Sequence, residues 1–365
     1  MDRQIVRISV INDISYDQRM LKTAHTLYEH NYDVHIIGRS LPSSKPLEKN
    51  NFTPHRLQCV FNKGKLFYLE FNLRLILFML FKSKGIYVST DLDTLFAMRI
   101  LSLIKRSPLV YDAHEYFTEV PELSHRPISK GAWRVLERIL LPGIKYCYTV
   151  SPGLVYLFKK NYKKNFSLVR NMPRLKSLPI QNNQSQKRIL YQGALNVGRG
   201  LEVAIRAMKH VNAELYIVGE GDISEKLKEM VSYLQLESKV TFTGNISPEA
   251  LTELTRKASV GINLLENRGL NYYYSLANKF FDYIEAGIPQ ISMRFPDYDQ
   301  LNQEYEVALL MDGLNEFVLS NAINDLLTDS ELYTKFHKNA LKAREVLCWE
   351  KEEQTLLDIY NGIEL

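Results

Sequence analysis

Three short stretches bring together residue types that could do chemistry. The segment LNYYYSLANKFFDYIEAGIPQIS, residues 270–292, sets Tyr274, Ser275, Leu276, Asn278, Lys279 and Asp282 at the start of one helical pattern. Ser275 suits an N-cap, and residues 276–286 then fit about three turns. Ala277, Phe280, Phe281 and Ile284 fall at i, i+3, i+4 and i+7, one buried stripe. Gly287 and Pro289 stop the helix. A helix N-terminus offers free N–H groups and a positive dipole end, which suit an anion. Lys279 in the first turn is unfavourable for that dipole, a cost an anion nearby would offset. Asp282, one turn deeper, could accept from a sugar diol.

The stretch YQGALNVGRGLEVAIRA, 191–207, runs from a strand through Gly193, Gly198, Arg199 and Gly200 into a helix. Glycines let backbone amides approach a phosphate, and arginine forks onto one. The pattern is neither a P-loop nor the dinucleotide fingerprint. Two phosphate-compatible turns in one half of the chain fit a diphosphate better than a monophosphate.

The stretch VYDAHEYFTEVPEL, 110–123, leaves a strand with Asp112, His114 and Glu115. A histidine between acids just past a strand end suits polar catalysis. STDLDTL, 89–95, offers Asp91 and Asp93 as a metal-binding pair or as helix N-caps. In ISYDQRML, 14–21, Asp17 could cap a helix and Arg19 direct a charge toward a cleft. Each has a plainer reading. A capped surface helix with solvated Lys279, Asp282 and Glu285 carries the same spacing, glycine-rich strand–helix turns are common, and His114 stands out from the other histidines only by position.

The elements that must position these residues alternate. In the first half, short apolar runs such as IVRISVIN, DVHIIG, GIYVS, LVYDA and YCYTV read as buried parallel strands, separated by helical patterns. MPRLKSLPIQNNQSQK, 172–187, lacks periodicity and reads as a linker. The alternation then restarts with RILYQGA, ELYIVG, KVTFTG, VGINLL and PQIS, and the tail from about 315 is helical. Strand–helix alternation implies doubly wound sheets, whose ligands sit at the carboxyl ends of the strands.

The length of 365 residues fits two domains. A net charge of +5, with no long basic run, suits anionic small molecules or an acidic membrane surface and gives no nucleic-acid stripe. Three scattered cysteines have no zinc spacing and fit a reducing cytosol. No uninterrupted apolar run is long enough to span a bilayer. Residues 62–84 place Lys63, Lys65, Arg74, Lys82 and Lys84 around many Leu, Phe and Ile. A helix buried against the sheet is the favoured reading, and a peripheral membrane face is the other.

Together these stretches resemble the GT-B glycosyltransferases, specifically the large retaining family usually called family 4. The resemblance covers nearly the whole chain through DQRMLKTAHTLYEHNYDVHIIGR, TDLDTL, VYDAHEYF, YTVSPGL, LVRNMP, YQGALNVGRGLEVAIRAM, LYIVGEGD, VTFTGNIS and LANKFFDYIEAGIPQI, in order and spacing. It implies an α/β GT-B chain of two doubly wound, Rossmann-like domains facing across a cleft. Residues 1–171 would be the acceptor-binding domain, 172–187 the linker and 188–347 the nucleotide-sugar-binding domain. A final helix within 348–365 would cross back to the first.

The implied reaction moves a sugar from a nucleoside diphosphate to a saccharide or lipid-linked acceptor with retention, without a metal or other cofactor, in the assembly of surface polysaccharide or glycolipid. The cytoplasm is the implied place, with association at the inner face of the plasma membrane. The resemblance implies Arg199 on the diphosphate and His114 on the donor sugar; the family's second basic residue has no match in the area from Ala194 to Asn196, and Lys279 is expected to compensate. Gly193, Gly200, Tyr274, Ser275, Leu276, Asn278 and Asp282 would complete the donor site, and Asp17, Arg19, Asp112 and Glu115 the acceptor side. Tyr274 stands where relatives often keep a glutamate. A nucleotide-sugar 2-epimerase and a non-catalytic sugar-nucleotide binder are the alternatives.

Overall fold

The computed structural model describes residues 3–14, 17–42, 44, 46, 51–177 and 184–364, apart from the side chains of 122 and 124. It divides into one unit of residues 1–170 and 353–365 and another of residues 171–352. Of the expected linker, residues 178–183 lie outside the described residues.

The first unit opens with β1 (Gln4–Ser9), α1 (Gln18–Glu29), β2 (Tyr32–Ser40), β3 (Thr53–Gln58) and α2 (Gly64–Leu80). It continues with β4 (Ile86–Thr90), α3 (Asp91–Lys105), β5 (Leu109–Ala113), α4 (Pro121–Ser124), α5 (Pro127–Leu140), β6 (Tyr146–Thr149), α6 (Pro152–Tyr162) and β7 (Ser167–Leu168). The strands form one parallel sheet in the order β3-β2-β1-β4-β5-β6-β7. β4 and β5 are buried along their whole length, which is why they read as unbroken apolar runs. The register aligns Ile8, Val88 and Val110 across three strands. β3, with polar residues between its apolar ones, gave no such run and is an edge strand.

The second unit contains β8 (Arg188–Gln192), α7 (Leu201–Ala207), β9 (Glu214–Val218), α8 (Ser224–Tyr233), β10 (Val240–Gly244), α9 (Pro248–Arg256) and β11 (Val260–Asn263). Then come α10 (Leu270–Tyr273), α11 (Asn278–Glu285), β12 (Gln290–Met293), α12 (Pro296–Tyr305), β13 (Ala308–Met311), α13 (Glu316–Thr328) and α14 (Ser330–Ala343). Its parallel sheet runs β10-β9-β8-β11-β12-β13. Several helices start at local signals. Ser151 and Ser247 accept from N–H groups in the first turn, each followed by proline at the first helical position. The last helix, α15 (Trp349–Asn361), starts in the second unit and ends in the first, and Trp349 is fully buried. The chain is therefore α/β, with two doubly wound parallel sheets of seven and six strands.

Candidate functional site

In the first unit the chemistry gathers at the carboxyl ends of β4 and β5. Asp112, on β5, is fully buried. One carboxylate oxygen accepts from Arg19 Nη2 at 2.9 Å, and the other lies 2.9 Å from His114 Nε2. Arg19 also donates to the carbonyl of Val169 and packs over the Tyr148 ring. Arg19, expected to direct its charge toward a cleft, aims it at Asp112, because a fully buried carboxylate needs a counter-charge and α1 delivers one. Asp112, expected on the acceptor side, has one oxygen on Arg19 and the other beside His114.

His114 has a second carboxylate, Asp91, which accepts from the His114 backbone N–H at 2.7 Å and lies 3.8 Å from Nδ1. Asp91 takes a left-handed φ of 57°, uncommon for a residue other than glycine. It is the first residue of α3 rather than its cap, since Thr90 occupies the N-cap position and makes no side-chain bond. Asp93 is buried, and burial pushes its carboxyl well above the usual range. The aspartate pair is therefore neither a cap nor, among the described residues, part of any group able to hold a metal. Burial alone would lower the pKa of His114, but Asp112 and Asp91 outweigh it and raise it to about 9. Burial likewise opposes ionisation of Asp112, yet Arg19 and His114 hold its carboxyl down at about 2. Asp91 is raised to about 6, by burial first, with His114 pulling the other way. At neutral pH the cluster is thus an imidazolium clasped by carboxylates. Asp17 caps α1, accepting from the Met20 N–H at 3.0 Å, and Glu115 is half-buried beside the cluster.

In the second unit Gly193, Arg199 and Gly200 follow β8, and Lys279 and Asp282 lie on α11. Gly200 has φ 70° and ends the turn before α7. A Cβ there would come within 2.7 Å of the Leu264 carbonyl oxygen, so only glycine fits. Gly193 has φ 130°, and a Cβ on it would sit 3.4 Å from Lys279 Nζ. The lysine is therefore stacked directly against the glycine turn. It is 7 % exposed, and its ammonium lies 3.6 Å from the centroid of Tyr191. Burial and then the charge of Arg199 push its pKa well below the usual lysine value, with Asp282 opposing. The guanidinium of Arg199 lies 4.8 Å from the Tyr272 centroid, and its Nε is buried with no partner among the described residues.

Asp282 is held from behind. Gln192 Nε2 donates to it at 2.8 Å, and Thr255 Oγ1 donates to Gln192 Oε1 at 2.8 Å. Asn278 is exposed and accepts from Asn171, while Leu276 is buried. Tyr274 is half-buried, edge-on to Tyr273. The helix start differs from expectation. Ser275 is not its cap, because residues 270–273 form a short helix of their own and the Ser275 hydroxyl donates back to the Tyr272 carbonyl. α11 begins at Asn278 after Ala277, which supplies no side-chain cap and whose own N–H donates to Tyr298. Lys279 and Asp282, readable as solvated, are respectively buried and half-buried. The tyrosines under the two cations, and the Gln192–Thr255 brace, were not singled out in the sequence. Tyr272 was visible as the first of the tyrosine run and Tyr191 and Gln192 as the last residues of a strand, but nothing local marks a ring as a cation platform.

Residues 176–343 match the family model Glycosyl transferases group 1. An uncharacterized glycosyltransferase of Methanocaldococcus jannaschii is 34 % identical over 167 residues, 41 % of this chain and 42 % of that protein. The matched stretch thus spans less than half the length of that relative. Among solved structures, sucrose-phosphate synthase from Thermosynechococcus elongatus superposes with a TM-score of 0.83 at 17 % identity, covering 98 % of each chain. The Anabaena HepE protein in complex with UDP and glucose superposes with a TM-score of 0.78 at 13 % identity, covering 99 % of this chain and 100 % of that one. The fold is that of the GT-B glycosyltransferases, and residues 176–343 are similar to the group 1 glycosyltransferase domain.

Proposed function

We propose that this chain is a retaining glycosyltransferase that moves a sugar from a nucleoside diphosphate to a hydroxyl of a saccharide or lipid-linked acceptor. The observation that carries the proposal is the cation pair of the second unit. Lys279 is buried against Tyr191 at the glycine turn, and Arg199 rests on Tyr272 with a buried Nε that lacks an acceptor. A diphosphate supplies the missing acceptors and charge. The leaving diphosphate gains negative charge as the glycosidic bond breaks, so fixed cations and the uncapped start of α11 favour the transition state over the ground state. Asp282, braced by Gln192, is placed to accept from a ribose diol.

In this reading the second unit holds the nucleotide sugar, and the first supplies the acceptor site and His114. Clasped by Asp112 and Asp91, His114 acts as a hydrogen-bond donor and cation rather than as a general base. The departing phosphate takes the acceptor proton on the same face, which retains the anomeric configuration. No metal enters this scheme, because Arg199 and Lys279 supply the charge. Tyr274, where an acid is often found in the resembled family, keeps a second reading alive, in which the chain binds the nucleotide sugar without transferring it.

A thermal-shift series with UDP, GDP and ADP, followed by a transfer assay with the stabilising base and excess chelator, tests the proposal. The expected result is stabilisation by one nucleoside diphosphate and chelator-resistant turnover. Binding with neither transfer nor donor hydrolysis over a broad acceptor panel leaves only the binding protein. Sugar isomerisation without acceptor indicates an epimerase.

A further inference from the structure

The helix α2 departs from what a helix on a doubly wound sheet requires. Its inner face buries Phe67, Phe71, Leu75 and Met79. Its outer face, where polar residues belong, presents Leu66, Leu69, Leu73 and Leu77, at 55, 55, 50 and 63 % exposure. Spacings of three, four and four put these leucines on one stripe. The sequence reading of a buried helix is thus half right, since burial accounts for one face only.

The stripe does not stand alone. The connections β3→β4, β4→β5 and β5→β6 all run the same way across the sheet, opposite to β1→β2. Right-handed crossovers therefore place α2, α3 and α5 on one face. Asn72 on α2 donates to the Asp93 carbonyl and accepts from the Ala97 N–H of α3, and Tyr68 packs on Trp133 of α5. α3 adds exposed Leu103 and Ile104, and α5 adds exposed Ile128, Val135 and Ile139. Exposed apolar surface spread over three neighbouring helices exceeds the scattered hydrophobes of an ordinary surface.

Charge identifies the occupant. Within residues 60–84, 94–106 and 125–140, every exposed charged side chain is a lysine or arginine. Lys63, Lys65, Lys82 and Lys84 stand at the two ends of α2, Arg126 and Arg138 stand at the two ends of α5, and Arg134 of α5 pairs with Glu119. The acids of these segments are withdrawn, Glu137 into the core and Glu70 onto the N–H groups of Val60 and Phe61. A second copy of the chain would bring like charges together across the face. No helix of the described residues is long and apolar enough to cross a membrane.

We propose that the α2–α3–α5 face of the first unit docks on an anionic bilayer surface, with α2 lying in the interface and its leucines among the acyl chains. This goes beyond the transfer reaction and stands without it, since docking needs no donor.

Co-sedimentation of the full chain with vesicles tests it, comparing pure phosphatidylcholine with phosphatidylcholine containing phosphatidylglycerol. Binding to the anionic vesicles is expected, weakening with salt. Lys63→Gln and Lys65→Gln each reduce partition by about fivefold. Leu73→Glu with Leu77→Glu reduces it more than about tenfold. Tyr233→Glu, at an 86 % exposed residue of the second unit, leaves it unchanged. Unaltered thermal unfolding and nucleotide affinity show that the leucine variant is folded. Failure to bind anionic vesicles, or equal binding by the leucine variant, overturns the proposal. So does a wild-type dimer in sedimentation velocity that the leucine variant turns into monomer, which makes the face a self-interface.

Discussion

The two clusters of charged side chains settle their charges in opposite ways. In the first unit Arg19, Asp112, His114 and Asp91 form an alternating chain of cation and anion, with Asp112 bonded on both sides. The nearby helix α1 is capped by the side chain of Asp17. In the second unit Arg199 and Lys279 share one nearby acid, Asp282, which Gln192 braces, and α11 starts without a side-chain cap. In the first cluster every charge meets an opposite one, although Arg19 Nε, like Arg199 Nε, is buried without a partner, whereas the second cluster gathers two cations on one acid. Pairing makes removal of any one member of the first cluster costly. Two cations on one acid make the second a cost to the free protein and the source of its affinity.

The largest expected effect comes from opening the paired cluster. Asp112→Ala leaves Arg19 buried without its carboxylate and His114 without its nearer partner. Breaking a buried pair in this way costs about 3–5 kcal/mol, read as a lower denaturant midpoint with unchanged m-value. Next is Arg199→Ala, which removes charge-assisted bonds worth about 1.5–3 kcal/mol, a loss of roughly 10- to 100-fold in nucleoside diphosphate affinity by calorimetry. Free-protein stability should barely move, because Arg199 has little to lose. An unchanged affinity removes the phosphate assignment.

The pH trends of the two clusters should also oppose each other. His114 has its pKa raised from 6.5 to about 9, so its stabilisation is complete below 6.5 and fades as pH rises through about 9. His114→Gln should flatten that decline in a melting-temperature series. Lys279 has its pKa lowered from 10.5, so the unfolded chain binds the extra proton and its share of stability grows as pH rises toward 10.5. Lys279→Met should remove that rise and stabilise the free protein at neutral pH while weakening nucleotide binding. A diphosphate raises the lysine pKa again, so binding should take up protons at pH values between the pKa of the free and that of the bound lysine. Calorimetric enthalpies that depend on buffer ionisation in wild type and not in Lys279→Met check this.

Much of the fold was legible because its strands are buried on both faces. β4 and β5 show as continuous apolar runs, whereas the edge strand β3 and the two-residue β7 do not. Local backbone chemistry was legible where it is local. Asp17, Gly200 and Gly287 mark boundaries by their own conformational needs. The environment of a charged side chain was not. Arg19 read as directing its charge toward a cleft and Lys279 as meeting an anion or solvent, and each is buried by partners distant in the chain: Asp112 and Val169 for one, Tyr191 and Gly193 for the other. The outer face of α2 was legible only as the alternative to burial, since leucines and phenylalanines spread around a helix do not say which side meets the sheet.

The smallest expected effects lie at the two helix starts. Asp17 accepts from the Met20 N–H at 3.0 Å, so Asp17→Ala should cost about 1 kcal/mol. Ser275, in the residue type most often found at an N-cap, bonds the Tyr272 carbonyl instead, so Ser275→Ala should lower stability by only about 0.5 kcal/mol or less. The two substitutions separate a filled N-terminus from an open one. If Ser275→Ala destabilises as much as Asp17→Ala, the hydroxyl is capping α11 in solution and its amides are spoken for. The N-terminus of α11 then no longer offers free donors to a phosphate, and the burden of holding the diphosphate falls on Arg199 and Lys279 alone.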